Sequence, residues 1–378
     1  CRQRYLHKAV VQSIATDPLQ AIDNITFDTL KLPSIQSLPS NAVIIKVKSV
    51  AVHWVDLLMM SGQYQHAPPV PYTPGLEYAG EIVSTGTEVK TCHPGDQVYV
   101  DIFSAGPRSY GEYQTYGGLA THSIAPVSAV NKIPTQFDYD MAASFSGAYE
   151  TSHHALVKCA DVKQGETVLI HGATGASGMA AVQICSALGV NVIATGGSDE
   201  KLSTVTSRGC LGEGRVLGTW NYRDSSLSLR EVVQQYAPIG KVDVVFDTVG
   251  GAKLSEDSLR CMTFGGRYCV VGWTSTPFAG GGRAAGAQQA TANTIPTNLI
   301  MMKGVRVIGC PVAIHTKLEP NIRYSRVNHL NSLVEKGLLR PYVSHRFPFT
   351  LEGVKDALTA KWTRKVTGTA IVHPDSDE

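Results

Sequence analysis

No stretch of this chain supplies the roughly 18–20 consecutive apolar residues that a membrane-crossing helix needs, and its first residues lack the apolar core of a signal peptide. No two of its eight cysteines (Cys1, Cys92, Cys159, Cys185, Cys210, Cys261, Cys269, Cys310) stand at CxxC spacing, and Cys185 and Cys269 sit inside apolar runs that read as core. Free thiols in a reducing compartment are expected, with the cytoplasm as the location; a chain that opens on Cys1 rather than Met leaves organelle targeting unread. Lysine and arginine nowhere cluster beyond a few residues and the formal charge is only +2, which argues against a nucleic-acid surface.

Glycine, by contrast, is abundant: 36 of 378 residues, beside 43% hydrophobic residues. That length suits two domains of roughly 100–200 residues. Up to about Asn131 the chain gives short β-rich runs cut by Gly, Pro and Asp turns, such as "NAVIIKVKSVAV" and "GLEYAGEIVSTG". From about Met141 helices alternate with short apolar strands ("TVLIHG", "NVIATGG", "VDVVFDTVGG", "GGRYCVVGW", "VRVIGC"), the pattern of a parallel sheet with helices on both faces. After Cys310 come a helix around 322–336, another near Leu351–Ala360 and a closing strand, "GTAIVHP". The stretch 279–296, with Arg283, reads as a mobile loop.

"LIHGATGASGMAAVQICSALG" runs from a buried strand through Ala173-x-Gly175-x-x-Gly178 into a helix. Small residues tighten such a turn and let the backbone approach a pyrophosphate, which Ala176 and Ser177 would meet with the N–H groups of the helix start. The second strand then ends in Gly196-Gly197-Ser198, where an NAD site would place Asp or Glu on the ribose 2′-hydroxyl. Gly196 is read as leaving room for a 2′-phosphate, Lys201 as supplying charge, and Tyr222 with Arg223 as following the third strand. Two alternatives stay open: Lys201 as a plain solvated residue, and a shifted register that gives the ribose Asp199 or Glu200.

Taken in order and spacing, "VHWVDLLMMSGQYQHAPPVPYTPGLEYAGEIVSTGTEV", "HGATGASGMAAVQICSALGVNVIAT", "VDVVFDTVGG", "GGRYCVVG" and "IPTNLIMMKGVRVIG" resemble the zinc-free quinone oxidoreductase (zeta-crystallin-like) branch of the medium-chain dehydrogenase/reductase superfamily. The resemblance implies an α/β protein: a GroES-like β domain from both chain ends (1–151 and 310–378), an inserted Rossmann doubly wound parallel sheet (152–309), a cleft between them and a homodimer joined at the Rossmann sheet edge. It also implies NADPH, with Lys201, Tyr222 and Arg364 converging on the 2′-phosphate.

Zinc members of the superfamily carry "GHE" where this chain has "GLE", so Leu76 stands in place of a ligand while Glu77 persists, and no metal is expected. His53 occupies the first-ligand position, usually Asn in the zinc-free branch. His153 and His154 are adjacent on a helix, about 100° apart, and so do not share an ion. Without a Lewis acid the natural acceptor is already electron-poor, a quinone or a double bond conjugated to a carbonyl. Tyr64 matches the polar group opposite the nicotinamide in related enoyl-thioester reductases, His53 orients substrate or relays a proton, and Thr151 matches the Thr expected near the nicotinamide. Tyr64 and His53 each also have a purely structural alternative. Asp56 is read as orienting its turn, Tyr149 and Glu150 as reshaping the pocket, and Asp247, Val249, Gly250, Gly272 and Trp273 as strand ends past which the cofactor runs. The rival readings are an enoyl-thioester reductase and an NADPH-binding adaptor without catalysis.

Overall fold

The structure, a computed structural model, describes residues 5–64, 66, 68–109, 111–224, 226–275 and 294–374, which form two compact units. The first comprises the chain up to Gly147 together with Val343 onward; the second holds the described residues from Ala148 to Tyr342. The loop read at 279–296, Arg283 included, falls outside the described residues except for 294–296.

Seven strands build the main sheet of the first unit. Its hub is Ala42–Ala51, paired antiparallel with Glu77–Thr85, His122–Pro126 and Thr369–His373; Gln97–Val100 and Val130–Lys132 extend one side and Val343–Pro348 the other. Val43, Ile45, Val47, Tyr78, Val98 and Val100 pack with Val354, Ala357 and Leu358 of helix Leu351–Trp362, so the last residues of the chain complete a core begun by the first. Asp140 locks that return. It accepts from Ser49 Oγ (2.6 Å), Arg346 Nε (2.7 Å) and His373 Nε2 (2.7 Å). Burial alone would raise its pKa, but these hydrogen bonds and the charges beside it hold it at about 2.

In the second unit six parallel strands lie in the order Val216–Asn221, Asn191–Gly196, Thr167–His171, Val242–Asp247, Met262–Val270, Arg306–Gly309. Counted from Thr167–His171 as first, the order is 3-2-1-4-5-6, the Rossmann arrangement, whose direction of winding reverses between Thr167–His171 and Val242–Asp247. The apolar runs seen in the sequence are the strands buried on both faces, as parallel sheets require.

The sequence reading returned the chain to the first domain at Cys310, whereas the second unit continues to Tyr342. The reason lies in polar partners that the sequence does not display. Helices Val312–Leu318 and Pro320–Glu335 are tied to the start of the second unit: Glu150 is gripped by Arg326 (2.7 Å) and Arg323 (3.2 Å), His153 Nε2 meets His329 Nδ1 (2.8 Å), and His154 Nε2 meets His315 Nδ1 (2.8 Å). Consecutive histidines thus point to different helices, as their angular spacing predicts.

Candidate active site

Gly172 leaves strand Thr167–His171 at φ +73°, a conformation that glycine adopts without strain, and the chain turns through Ala173 to Gly175, the N-cap of helix Ala176–Ala187. A Cβ on Gly178 would lie 2.1 Å from the Gly172 carbonyl oxygen, so this glycine is what lets helix and strand touch. A Cβ on Gly175 would meet nothing nearer than 3.5 Å. The outer side of the turn is therefore open, and Gly175 offers no side-chain cap to the N–H groups of the first helical turn. An open backbone cradle with bare N–H groups fits a pyrophosphate. Thr248 abuts the same turn, its Oγ1 donating to the His171 carbonyl (2.9 Å), and Asp247 shapes the loop by accepting from the Val249 and Gly250 N–H groups (2.8 and 2.9 Å) and the Tyr268 hydroxyl (2.5 Å). Gly272 sits against the Thr248 backbone and Trp273 is partly exposed beside it. These strand ends flank the point where the winding reverses, the customary position for a dinucleotide.

At the end of strand Asn191–Gly196 one reading needs correction. Gly196 is buried, and the space a side chain would take is filled by Thr174 and Leu202, so its smallness serves packing. The glycine that faces the polar side is Gly197, against the Tyr222 hydroxyl and Arg223 Nε. Ser198 caps helix Asp199–Gly209 by accepting from the Lys201 N–H (3.4 Å). Burial, with Arg223 nearby, pushes the Lys201 ammonium below its usual pKa, even though Glu200 opposes the shift. Asp199 accepts from the Asn221 side chain (3.1 Å) and is engaged in the turn. The strand end thus gathers two cations and a phenol. Arg364 belongs to the other unit, where it ends helix Leu351–Trp362 at φ +59°, in the left-handed conformation typical of a residue just past a helix C-cap.

The first unit carries the remaining candidates. His53 is the N-cap of helix Trp54–Met60; its N–H and that of Gly75 donate to the two oxygens of Asp56 (3.0 Å each), so Asp56 orients this turn. Burial raises the Asp56 pKa, opposed by His53 and the two N–H groups. His53 Nε2 lies 2.8 Å from Glu77 Oε2, at ion-pair distance though not aligned as a hydrogen bond, and Glu77 Oε1 accepts from the Gly147 N–H (3.2 Å). Gly147 closes on this pair so tightly that a Cβ would lie 3.0 Å from Glu77 Oε2 and 3.1 Å from His53 Cε1. Leu76 is buried with Met59 and Ile102. His53 and Glu77 are two donors where catalytic zinc takes three protein ligands, and no larger His, Cys, Asp or Glu group arranged for a metal occurs among the described residues.

Tyr64 packs on Met59, Leu76 and Ile102 beside Val55 and Phe103, and its hydroxyl accepts from Arg108 Nη2 at 2.7 Å. The sequence reading missed Arg108. Only its place in "SAGPRSYG", a glycine- and proline-rich turn inside the β domain, hinted at a loop able to carry a charge. Thr151, on helix Ser146–His153, lies in the second unit, apart from Tyr64 and His53 in the first. Tyr149 and Glu150 are both buried: the tyrosine hydroxyl donates to Gln183 (2.7 Å), and the carboxylate is held by Arg323 and Arg326. Both side chains thus have polar partners within the second unit.

Residues 39–135 match the family model of the alcohol dehydrogenase GroES-like domain, and 176–321 that of the zinc-binding dehydrogenase. Mouse quinone oxidoreductase-like protein 2 is 30% identical over 329 residues, which cover 87% of this chain and 83% of that protein. The chain belongs to the quinone oxidoreductase branch of the medium-chain dehydrogenase/reductase superfamily. Human quinone oxidoreductase is 29% identical over 87% of this oxidoreductase and 89% of its own length. Among solved structures, a probable oxidoreductase from Mycobacterium abscessus (24% identity, TM-score 0.77, 98% and 100% covered) and a mycobacterial protein complexed with NADPH (21%, TM-score 0.75, 98% and 100%) share the fold of this oxidoreductase.

Proposed function

We propose that this oxidoreductase is an NADPH-dependent, zinc-independent reductase of quinones or α,β-unsaturated carbonyl compounds. One observation carries the cofactor choice: just past the end of the second Rossmann strand, Tyr222 and Arg223 lie against Gly197, Lys201 stands near Arg223, and the Asp199 carboxylate is engaged by Asn221. The backbone of Gly175, Ala176 and Ser177 would hold the pyrophosphate and Lys201 with Tyr222 the 2′-phosphate; the strand-end loops at Asp247–Gly250 and Gly272–Trp273 would border the remainder. When bound, the cofactor supplies a hydride. The chain's own residues then have to meet a negative charge that develops on the acceptor's oxygen. Tyr64 is the donor for it, backed by the apolar wall of Met59, Leu76 and Ile102 that keeps water away. His53, restrained by Glu77, orients the acceptor, and Thr151 borders the nicotinamide.

A homodimer forms through the outer edge of strand Arg306–Gly309. Support comes from the apolar side chains exposed around that end of the sheet: Phe264 (84%), Met301 (75%) and Met302 (67%), with Val307 on the strand itself. The seven free cysteines among the described residues suit a reducing compartment such as the cytoplasm.

The test is loss of reduced-nicotinamide absorbance by chelator-treated protein, with NADPH or NADH, against an ortho-quinone, a simple enone and an enoyl-CoA. Turnover with NADPH after metal removal is expected, fastest with the quinone or enone. Preference for enoyl-CoA would transfer the reading to an enoyl-thioester reductase, and cofactor binding without any turnover would make the protein an adaptor.

A further inference from the structure

Arg108 ends the short 3-10 turn Gly106–Arg108, on a loop that is pinned at several points. Asp101 Oδ1 accepts from the Phe103 and Ser104 N–H groups (2.8 and 2.9 Å), the Ile102 N–H donates to Ser146 Oγ (3.2 Å), and Ser109 folds its hydroxyl back on the Gly106 carbonyl (2.7 Å). The guanidinium is delivered to one place. Its carbon lies 5.3 Å from the Tyr64 ring centre and 5.7 Å from that of Phe103, while Nη2 donates to the Tyr64 hydroxyl. Among the described residues no carboxylate forms an ion pair with Arg108, and its Nε is buried without a partner. The buried Asp56 carboxylate feels its charge without forming an ion pair, and a partly buried guanidinium that is not fully hydrogen-bonded is costly to keep. Such a cost persists where the charge acts on something.

A phenol that accepts a hydrogen bond from an arginine has one lone pair occupied, and its own O–H is turned away from that donor. Arg108 therefore aims the Tyr64 proton. Because the bond is charge-assisted, it strengthens once the proton has left and the oxygen is a phenolate. The same bond is thus weaker before proton transfer and stronger after it, which is the requirement for accelerating the step. We infer that Arg108 is a positioning residue for proton delivery by Tyr64. The inference rests on the reductase reading above. In that reaction the acceptor gains a hydride from the reduced nicotinamide and a proton from Tyr64 Oη; the O–H bond of Tyr64 breaks as the new bond to hydrogen forms on the acceptor, and the phenolate held by Arg108 regains a proton from water.

A double-mutant cycle on the full chain, with an enone and NADPH, tests this. Tyr64→Phe and Arg108→Ala are each expected to lower kcat by about 100-fold, within the usual range for a general acid, with the KM for NADPH changed less than about twofold. Because Arg108 acts through the phenol, Arg108→Ala added to Tyr64→Phe is expected to cost no more than about a further twofold. Arg108→Lys, or guanidinium ion added to Arg108→Ala, restores part of kcat in the Tyr64 background and none in Tyr64→Phe. Losses that multiply in the double mutant overturn the proposal, as does full activity in Arg108→Ala. Should Arg108→Ala not fold, Arg108→Lys and Arg108→Gln carry the same cycle, with equal kcat in the two overturning it. A wild-type protein inert toward every acceptor overturns the reductase reading and this proposal together, whereas a working wild type with an indifferent Arg108 overturns this proposal alone.

Discussion

The two units build their candidate sites from different materials. In the second unit the cofactor cradle is largely main chain: an open turn at Gly175, a close contact at Gly178 and a loop shaped by the N–H groups that Asp247 collects. In the first, the site consists of side chains brought together from a helix cap, a strand and two loops, His53 on Glu77 and Arg108 on Tyr64. A main-chain site depends on local spacing, and a side-chain site depends on the whole tertiary structure that carries it. The second unit also contains side-chain devices, in its histidine pairs and its Glu150–Arg326 ion pair, but these hold helices together.

Glu150→Ala strains that contrast most. It leaves Arg326, 2% exposed, without its carboxylate, and about 3–5 kcal/mol of stability should be lost in a urea titration; a loss below about 1 kcal/mol would mean that water or another group takes over. Lys201→Ala should raise the KM for NADPH by tenfold or more, roughly 1.4 kcal/mol or above, and leave that for NADH nearly unchanged; equal effects on both cofactors would remove the 2′-phosphate role. Asp140→Asn, in the first unit, should cost about 1–2 kcal/mol. Since the Asp140 pKa is depressed to about 2, its stabilisation is present above the ordinary carboxylate pKa and disappears as pH falls through about 2. Acid should touch the second unit earlier. Burial, together with the His329 ring, lowers His153 to about 3, so the unfolded chain binds the extra proton between the ordinary histidine pKa and about 3, and stability declines as pH falls across that window. Hydrogen exchange at pH 5, with amides of helix Pro320–Glu335 no more labile than at pH 7, would count against this ordering.

The same division explains what could be read in advance. Parallel strands announce themselves as apolar runs and a Rossmann turn as spaced small residues, so the parallel sheet and the place of the glycine turn were accessible from local pattern. Even there, Gly196 and Gly197 look alike in sequence, and only the packing of Leu202 against one and Tyr222 against the other separates them. Helix Val312–Leu318 and the assignment of 310–342 to the second unit were not accessible, because the evidence for them is a set of contacts from Glu150, His153 and His154 across more than 150 residues of chain. Arg108 was missed for the same reason: nothing within several residues of it in the chain speaks of Tyr64.

Gly175 and Gly178 finally differ in how damage at each would be noticed. Any side chain at 178 collides with the carbonyl of Gly172, and the variant announces itself by misfolding. Alanine at 175 has room and an ordinary φ of −82°. It would yield an abundant, well-folded protein whose lesion is a methyl group on the outer side of the turn. Surveys of variants that score expression or thermal stability would pass it as harmless.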